Sequence, residues 1–234
     1  NLIGSGDTLG LHISYAVQQN PEGISQALLI GEDFINGQPV CLILGDNIFY
    51  GDNLTTLLKE TSKVKKGATI YAYNVQDPER YGVLTFDVNH QIKAIHEKPQ
   101  NPASNWVVTG IYFFDQQAVN LAKQLKPSKR GELEITDLLN LYLKKKQLHT
   151  KFLGRGFAWL DTGTYESLLD AATFIKTIED RQGLKISCIE EIAYRMGFIS
   201  AKQLKKLAKL INTNYGEYLL RVAKQDDVLG PDQY

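Results

Sequence analysis

The sequence predicts an α/β protein: a Rossmann-like, mixed, mostly parallel sheet flanked by helices, with a β-hairpin insertion and a C-terminal helical appendage. Three observations carry this. Short apolar, β-branched runs alternate with amphipathic stretches. Two alternating runs, YGVLTF and QIKAIHEKP, flank Asp-Val-Asn-His, which is hairpin-turn composition. Beyond Lys185 everything reads helical. With 234 residues, 43% of them hydrophobic, the chain suffices for one sizeable core plus a small appendage. The expected division is residues 1–184 for the α/β domain and 185–234 for the appendage.

Element by element, residues 11 to 17 (LHISYAV) alternate as a strand would. Ile24, Ala27, Leu28 and Ile35 then fall close to one helical face, predicting a crossover helix over 22–35 into the strand PVCLILG and hence a parallel βαβ unit. A helix over 54–64, the strand ATIYAYNV, the hairpin and the strand VVTGIYFFD follow. Ile135, Leu138, Leu139 and Tyr142 sit at i, i+3, i+4, i+7 of a helix from about Glu132 to Lys145. The strands HTKFLG and GFAWLD lead into a helix opening at Thr164 and closing before Gly183. Three short helices end the chain. The second, AKQLKKLAKLI, is basic and amphipathic, with Leu204, Leu207, Ala208 and Ile211 on one face; packing on the body or another subunit is favoured over a membrane surface.

Lys+Arg and Asp+Glu both number 26, so no global field draws the molecule to nucleic acid or membrane, and charge chemistry must be local. Cys41 and Cys188 read as small buried hydrophobes of a reducing compartment rather than a staple or metal site. With no apolar run long enough to span a bilayer and no signal pattern, the expected location is the cytoplasm. His12, His90, His96 and His149 lack ligand spacing, which argues against zinc.

Local chemistry has clear candidates. In LILGDNIFYGDN a strand fit for burial runs straight into Asp46, and in FAWLDTGT another ends at Asp161. Ligands of open α/β sheets bind outside the carboxyl ends of strands. Two carboxylates on neighbouring strand tips would suit Mg²⁺ shared with substrate phosphates; ordinary turn chemistry is the competing reading. Gly82, in DPERYGV, stands where a backbone would approach a ligand or where a strand merely begins. Glu97 and Lys98, in HEKP, could accept from sugar hydroxyls and pair with a phosphate, or form a solvated surface pair. Gly23, in QQNPEGISQ, marks a helix start whose free N–H groups favour an anion or a polar base edge; a plain helix start is the competing and commoner reading.

Taken in order, LGDNIFYG, DPERYGV, HEKP, SNWVVTGIYFFD, RGELEITD and LGRGFAWLDTGT resemble the bacterial glucose-1-phosphate thymidylyltransferases, of the sugar-phosphate nucleotidyltransferase family, over essentially the whole chain. The resemblance implies transfer of a deoxythymidylyl group from dTTP to glucose 1-phosphate. Pyrophosphate is released, and dTDP-glucose results, a precursor of dTDP-rhamnose and cell-surface polysaccharide. It implies Asp46 and Asp161 as Mg²⁺ ligands, with Lys98 beside them in catalysis. Gly82, Glu97, Lys98, Val108, Tyr112 and Trp159 would form the sugar-phosphate pocket, and Gln18 and Gly23 would read the thymine. Gly154, Arg155, Ser187, Glu191, Ile192 and Arg195 would form a regulatory nucleotide site at a subunit contact of a homotetramer.

The resemblance has one departure. The family opens with a strand, a glycine-rich loop of the type GGxGTRLxPxT and a following lysine that cradle the triphosphate, and none of these occurs here. The chain as printed is therefore expected to be a fragment with little or no activity. A non-catalytic paralogue or fragment that binds nucleotide or partner chains is the alternative. A metal-dependent glycosyltransferase is a third reading, but it would carry a carboxylate-x-carboxylate strand end, and LGDN has only the first acid. Thymidine over uridine, and glucose over another hexose, rest on resemblance alone.

Overall fold

Nine residues, WVVTGIYFF, form the strand on which the larger sheet is built, because nearly all of them are buried whichever way they point. The computed structural model describes residues 3–229, which divide into two units: residues 16–171, and residues 3–15 with 172–229.

The first unit holds strands β1 (Val40–Ile43), β2 (Asn47–Gly51), β3 (Ala68–Asn74), β4 (Gly82–Phe86), β5 (Ile92–Glu97), β6 (Trp106–Phe114), β7 (Leu148–Phe152) and β8 (Phe157–Asp161). The larger sheet runs β5-β4-β6-β3-β7, with β1 also paired to β6. β3 occupies one edge of β6 from Ala68↔Phe114 to Asn74↔Trp106. β1 and β4 must therefore share the other edge, β1 from Val40↔Phe114 to Ile43↔Ile111 and β4 at Val83↔Val107. Both run antiparallel to β6, so they lie head to tail. β2 and β8 form a separate antiparallel ribbon with Asn47 opposite Asp161.

Helices α1 (Gln26–Ile30), α2 (Glu32–Ile35), α3 (Leu54–Thr61), α4 (Ala118–Ala122) and α5 (Ile135–Lys144) belong to the same unit. α5 turns Ile135, Leu138, Leu139 and Tyr142, the predicted stripe, into the core beside Ile70, Leu84 and Phe114. The hairpin is as expected, and its turn is tied by Asp87 Oδ1, which accepts from the N–H groups of Asn89 and Gln91.

Several expectations are corrected. Residues 11 to 17 form no strand, so the proposed βαβ unit does not exist: the alternation is there, but no partner strand pairs with it among the described residues. The 22–35 helix is two short pieces meeting at Gly31. The α/β class and flanking helices hold, yet among the described pairs only β3 with β7 is parallel. Cys41 is exposed while Cys188 is buried, and both are free. A strand covers one face only, and Cys41 lies on the open face of β1 with Ile43.

The second unit contains the remainder of α6 (Tyr165–Gln182), then α7 (Ile189–Arg195), α8 (Ala201–Leu210) and α9 (Asn214–Leu229). Ser200 and Gln203 close a capping box at the start of α8. The amphipathic face of α8 is internal, since Leu204 and Ala208 are buried with Leu219, Val222 and Ala223 of α9. Gly216 permits this, because a Cβ there would lie 2.0 Å from Ile211 O. Among the described residues no helix is long and apolar enough to cross a membrane.

Asp115, 3% exposed at the end of β6, accepts from Gly67 N–H (2.7 Å), Tyr142 O–H (2.8 Å), and the backbone and side chain of Gln117. Burial alone would push its carboxyl up, but these donors outweigh it and hold the group below the usual carboxylate range. A depressed folded value stabilises above the unfolded value and is lost as pH falls through the folded one. We expect Asp115→Ala to cost about 2–4 kcal/mol near neutrality, from stranding Gly67 N–H and Tyr142 O–H. In urea unfolding series, the gap between the two proteins should narrow below about pH 4.

Candidate active site

After Ile43 the chain leaves β6, and it returns to the same edge only at Gly82. Leu44 N–H still donates to Gly110 O (2.9 Å), and Val83 pairs with Val107, which leaves the edge between them open. A cleft of ≈ 470 Å³ forms there, lined by Val108, Thr109, Gly110 and Tyr112 of β6. Asp46, Asn47, Arg80, Tyr81, Gly82, Glu97, Lys98, Trp159 and Asp161 complete its polar and aromatic wall.

The two carboxylates meet here, Asp46 from the turn between β1 and β2 rather than from a strand end. Asp161 ends β8 opposite Asn47, the first residue of β2, and Thr162 donates its N–H to Asp46 O at 2.8 Å. Each carboxylate is held by neighbouring donors. Asp46 Oδ1 accepts from Asn47 Nδ2 (2.7 Å), whose Oδ1 accepts from Trp159 Nε1 (2.7 Å). Asp161 Oδ2 accepts from Tyr81 O–H (2.6 Å) and Arg80 Nη2 (2.8 Å). Partial burial would raise the Asp161 carboxyl, but donation from Tyr81, Ser167 and Arg80 prevails and holds it below the usual range. Tyr81 is pushed the other way, by desolvation and by its own bond to Asp161, and stays a neutral donor.

On the opposite wall, Glu97 pairs with Gly82 in the hairpin. It accepts from Thr136 Oγ1 at 3.1 Å and lies 3.5 Å from Arg130 Nη1. Burial, and then the nearby Glu134 charge, raise its carboxyl. Tyr112 is likewise raised by burial. Lys98 is exposed and adopts a left-handed backbone with φ 39°, which costs a non-glycine residue about 1 kcal/mol.

Eight of the residues singled out from the sequence thus face one cleft: Asp46, Gly82, Glu97, Lys98, Val108, Tyr112, Trp159 and Asp161. Gln18 and Gly23 do not line it, although Ile24 does. Gln18 Nε2 donates to Gly23 O (3.3 Å) and to Gln26 Oε1. Gly23, with φ 102°, is needed because a Cβ would lie 2.5 Å from Leu133 O. Gly154 and Arg155 lie in an exposed turn of the first unit. Ser187, Glu191, Ile192 and Arg195 belong to the second, where Glu191 accepts from Arg195 Nε and Tyr218 O–H.

The sequence reading passed over Asn47, Arg80, Tyr81 and Gly110. A signal existed for Gly110: a lone glycine inside a nine-residue apolar strand marks a close approach, and a Cβ there would lie 2.4 Å from Asn47 Oδ1. Arg80 and Tyr81 carry no such mark. Their role depends on Asp161, 80 and more residues away.

A family model described as nucleotidyl transferase matches residues 1–178. The chain belongs to the nucleotidyl transferase family. Among its relatives, a glucose-1-phosphate thymidylyltransferase of Neisseria meningitidis serogroup A is 54% identical over 225 residues, covering 96% of this chain and 78% of the relative. The enzyme of that name from Mycobacterium tuberculosis is 47% identical over 226 residues, with the same coverage. The structure is similar to that of a Bacillus anthracis protein described as a glucose-1-phosphate thymidylyltransferase and crystallised with sucrose. Its TM-score is 0.65 at 42% identity, over 74% of this chain and 68% of that one. A UDP-glucose pyrophosphorylase complexed with UDP-glucose shares the fold, with a TM-score of 0.60 at 24% identity, over 70% of this chain and 66% of that one. This nucleotidyltransferase is thus an enzyme.

Gly82 tests how tightly the cleft is built. An added Cβ would meet Thr136 Cγ2 at 2.7 Å, with Glu97 Oε2 at 3.7 Å. Gly82→Ala should push Thr136 off Glu97 and lower stability by about 1–3 kcal/mol. A denaturation midpoint equal to that of the wild type would show that the wall gives freely.

Proposed function

We propose that the cleft transfers a deoxythymidylyl group from dTTP to glucose 1-phosphate, with release of pyrophosphate. The observation that carries this is the meeting of Asp46 and Asp161 with Gly82, Glu97, Lys98, Val108, Tyr112 and Trp159 in one crevice of sugar-phosphate size. The names of relatives half identical over nearly the whole chain support it.

The chemistry joins two anions, so positioning and charge must do most of the work. A phosphate oxygen of glucose 1-phosphate attacks the α-phosphorus in line, the bond to the β-phosphate oxygen breaks, and pyrophosphate carries off the electron pair. Lys98, whose ammonium pairs with no acid among the described residues, meets the sugar phosphate as a point charge. Glu97 accepts from the sugar hydroxyls, its orientation kept by Thr136. Tyr112 and Trp159 wall the ring from solvent.

Mg²⁺ fits the residues present. Asp46 offers the oxygen that does not bond Asn47, and Asp161, held by Tyr81, Arg80 and Ser167, stays a charged carboxylate at the same crevice. Among the described residues no group of three or more acidic, His or Cys ligands exists, so an all-protein cage does not form. Two carboxylates completed by phosphate and water are the usual manner of holding Mg²⁺. When bound there, the ion supplies neutralisation of the crowded phosphate charge.

The test is pyrophosphate release from dTTP and glucose 1-phosphate by the protein as encoded by its gene. Asp46→Asn and Asp161→Asn should each lower kcat by about 10²-fold or more, with the KM for glucose 1-phosphate little changed. Unaltered turnover in both would sink the proposal.

Lys98 separates function from stability. Lys98→Gly should raise stability by about 0.5–1 kcal/mol through relief of the left-handed backbone. It should also raise the KM for glucose 1-phosphate at least about tenfold. Thermal melts and steady-state kinetics on the same preparation check both signs.

A further inference from the structure

Arg80 bridges two carboxylates. Its Nη1 lies 2.8 Å from Asp77 Oδ2 and its Nη2 2.8 Å from Asp161 Oδ2, while the guanidinium sits 5.2 Å from the centre of the Tyr81 ring. The Asp161 side chain is 12% exposed, against 38% for Arg80 and 45% for Asp77, so the bond to Asp161 is the better shielded of the two. Arg80 also lines the cleft, and its donors can turn from a carboxylate to a phosphate there without leaving it.

The proposed reading makes Asp161 a ligand of a divalent cation, and this inference rests on that reading. A guanidinium 2.8 Å from one oxygen of that carboxylate opposes a second cation beside it. An anionic phosphate entering the cleft offers Arg80 another partner. We infer that Arg80 is a resident counter-ion of Asp161 that competes with the divalent cation, so that cation and sugar phosphate bind cooperatively, the phosphate drawing Arg80 away from Asp161. Asp77 tunes the competition: by sharing Arg80 it weakens the guanidinium's hold on Asp161. Tyr81, which donates to the same oxygen without charge, keeps the carboxylate oriented while Arg80 exchanges partners.

This assigns opposite signs to two neighbouring substitutions, an outcome that general disruption of the site does not produce. The probe is Mn²⁺ alone, titrated into the full chain and followed by the electron paramagnetic resonance of the free ion, then repeated with saturating glucose 1-phosphate. Arg80→Gln should bind Mn²⁺ about tenfold more tightly than wild type in the absence of sugar phosphate, and most of the tightening that glucose 1-phosphate brings should vanish. Asp77→Asn, which leaves Arg80 wholly to Asp161, should bind Mn²⁺ severalfold more weakly.

Equal or weaker Mn²⁺ binding by Arg80→Gln, or equal or tighter binding by Asp77→Asn, overturns the counter-ion role. Asp161→Asn tests the underlying assignment separately. If it binds Mn²⁺ as wild type does, the metal reading itself fails. If it loses binding while Arg80→Gln gains none, only the counter-ion inference fails.

Discussion

Leu44 donates to Gly110 O, Val83 pairs with Val107, and between these points one edge of β6 has no strand beside it. The other edge is taken by β3, with a bulge between Ile70 and Ala72. Two strands, β1 and β4, share what remains, and the chain between them must leave the sheet and come back. The crevice, its β6 floor, and the entry of Asp46, Arg80 and Tyr81 into its wall all follow from that shared edge. Ligand sites of α/β sheets commonly fall where strand order changes and chain ends diverge. Here the divergence occurs along a single strand.

The β2–β8 ribbon converts this gap into a site. By putting Asn47 opposite Asp161, it brings residues more than a hundred positions apart to the same mouth. Asn47 then links Trp159 to Asp46, and Gly110 makes room for it against β6. A bulkier residue at 110 would displace Asn47 and with it the carboxylate. Orienting contacts of this kind govern ligand geometry as strongly as the ligands do.

The site concentrates features that do little for stability. Asp161 is a partly buried charge, Glu97 a carboxylate raised by burial beside Glu134, and Lys98 a non-glycine residue in a left-handed conformation. Asp115, elsewhere in the first unit, is the opposite case, since its four donors leave it nothing to offer a ligand. Charge held ready in one crevice is what a preorganised binding site requires.

Local signals in the sequence were enough for the hairpin, the α5 stripe, the amphipathic face of α8 and the place of Asp161 at a strand end, whereas Asp46, expected to close a strand, lies in the turn between β1 and β2. Each depends on period, turn chemistry or punctuation within about twenty residues. The segment 11–17 shows the limit of such signals, since alternation needs a neighbouring strand before it becomes one. Strand direction, the shared edge of β6, and the grip of Arg80 and Tyr81 on Asp161 were decided only by tertiary structure. They are pairings between distant segments, and a pairing is a property of two stretches of chain that neither stretch carries alone.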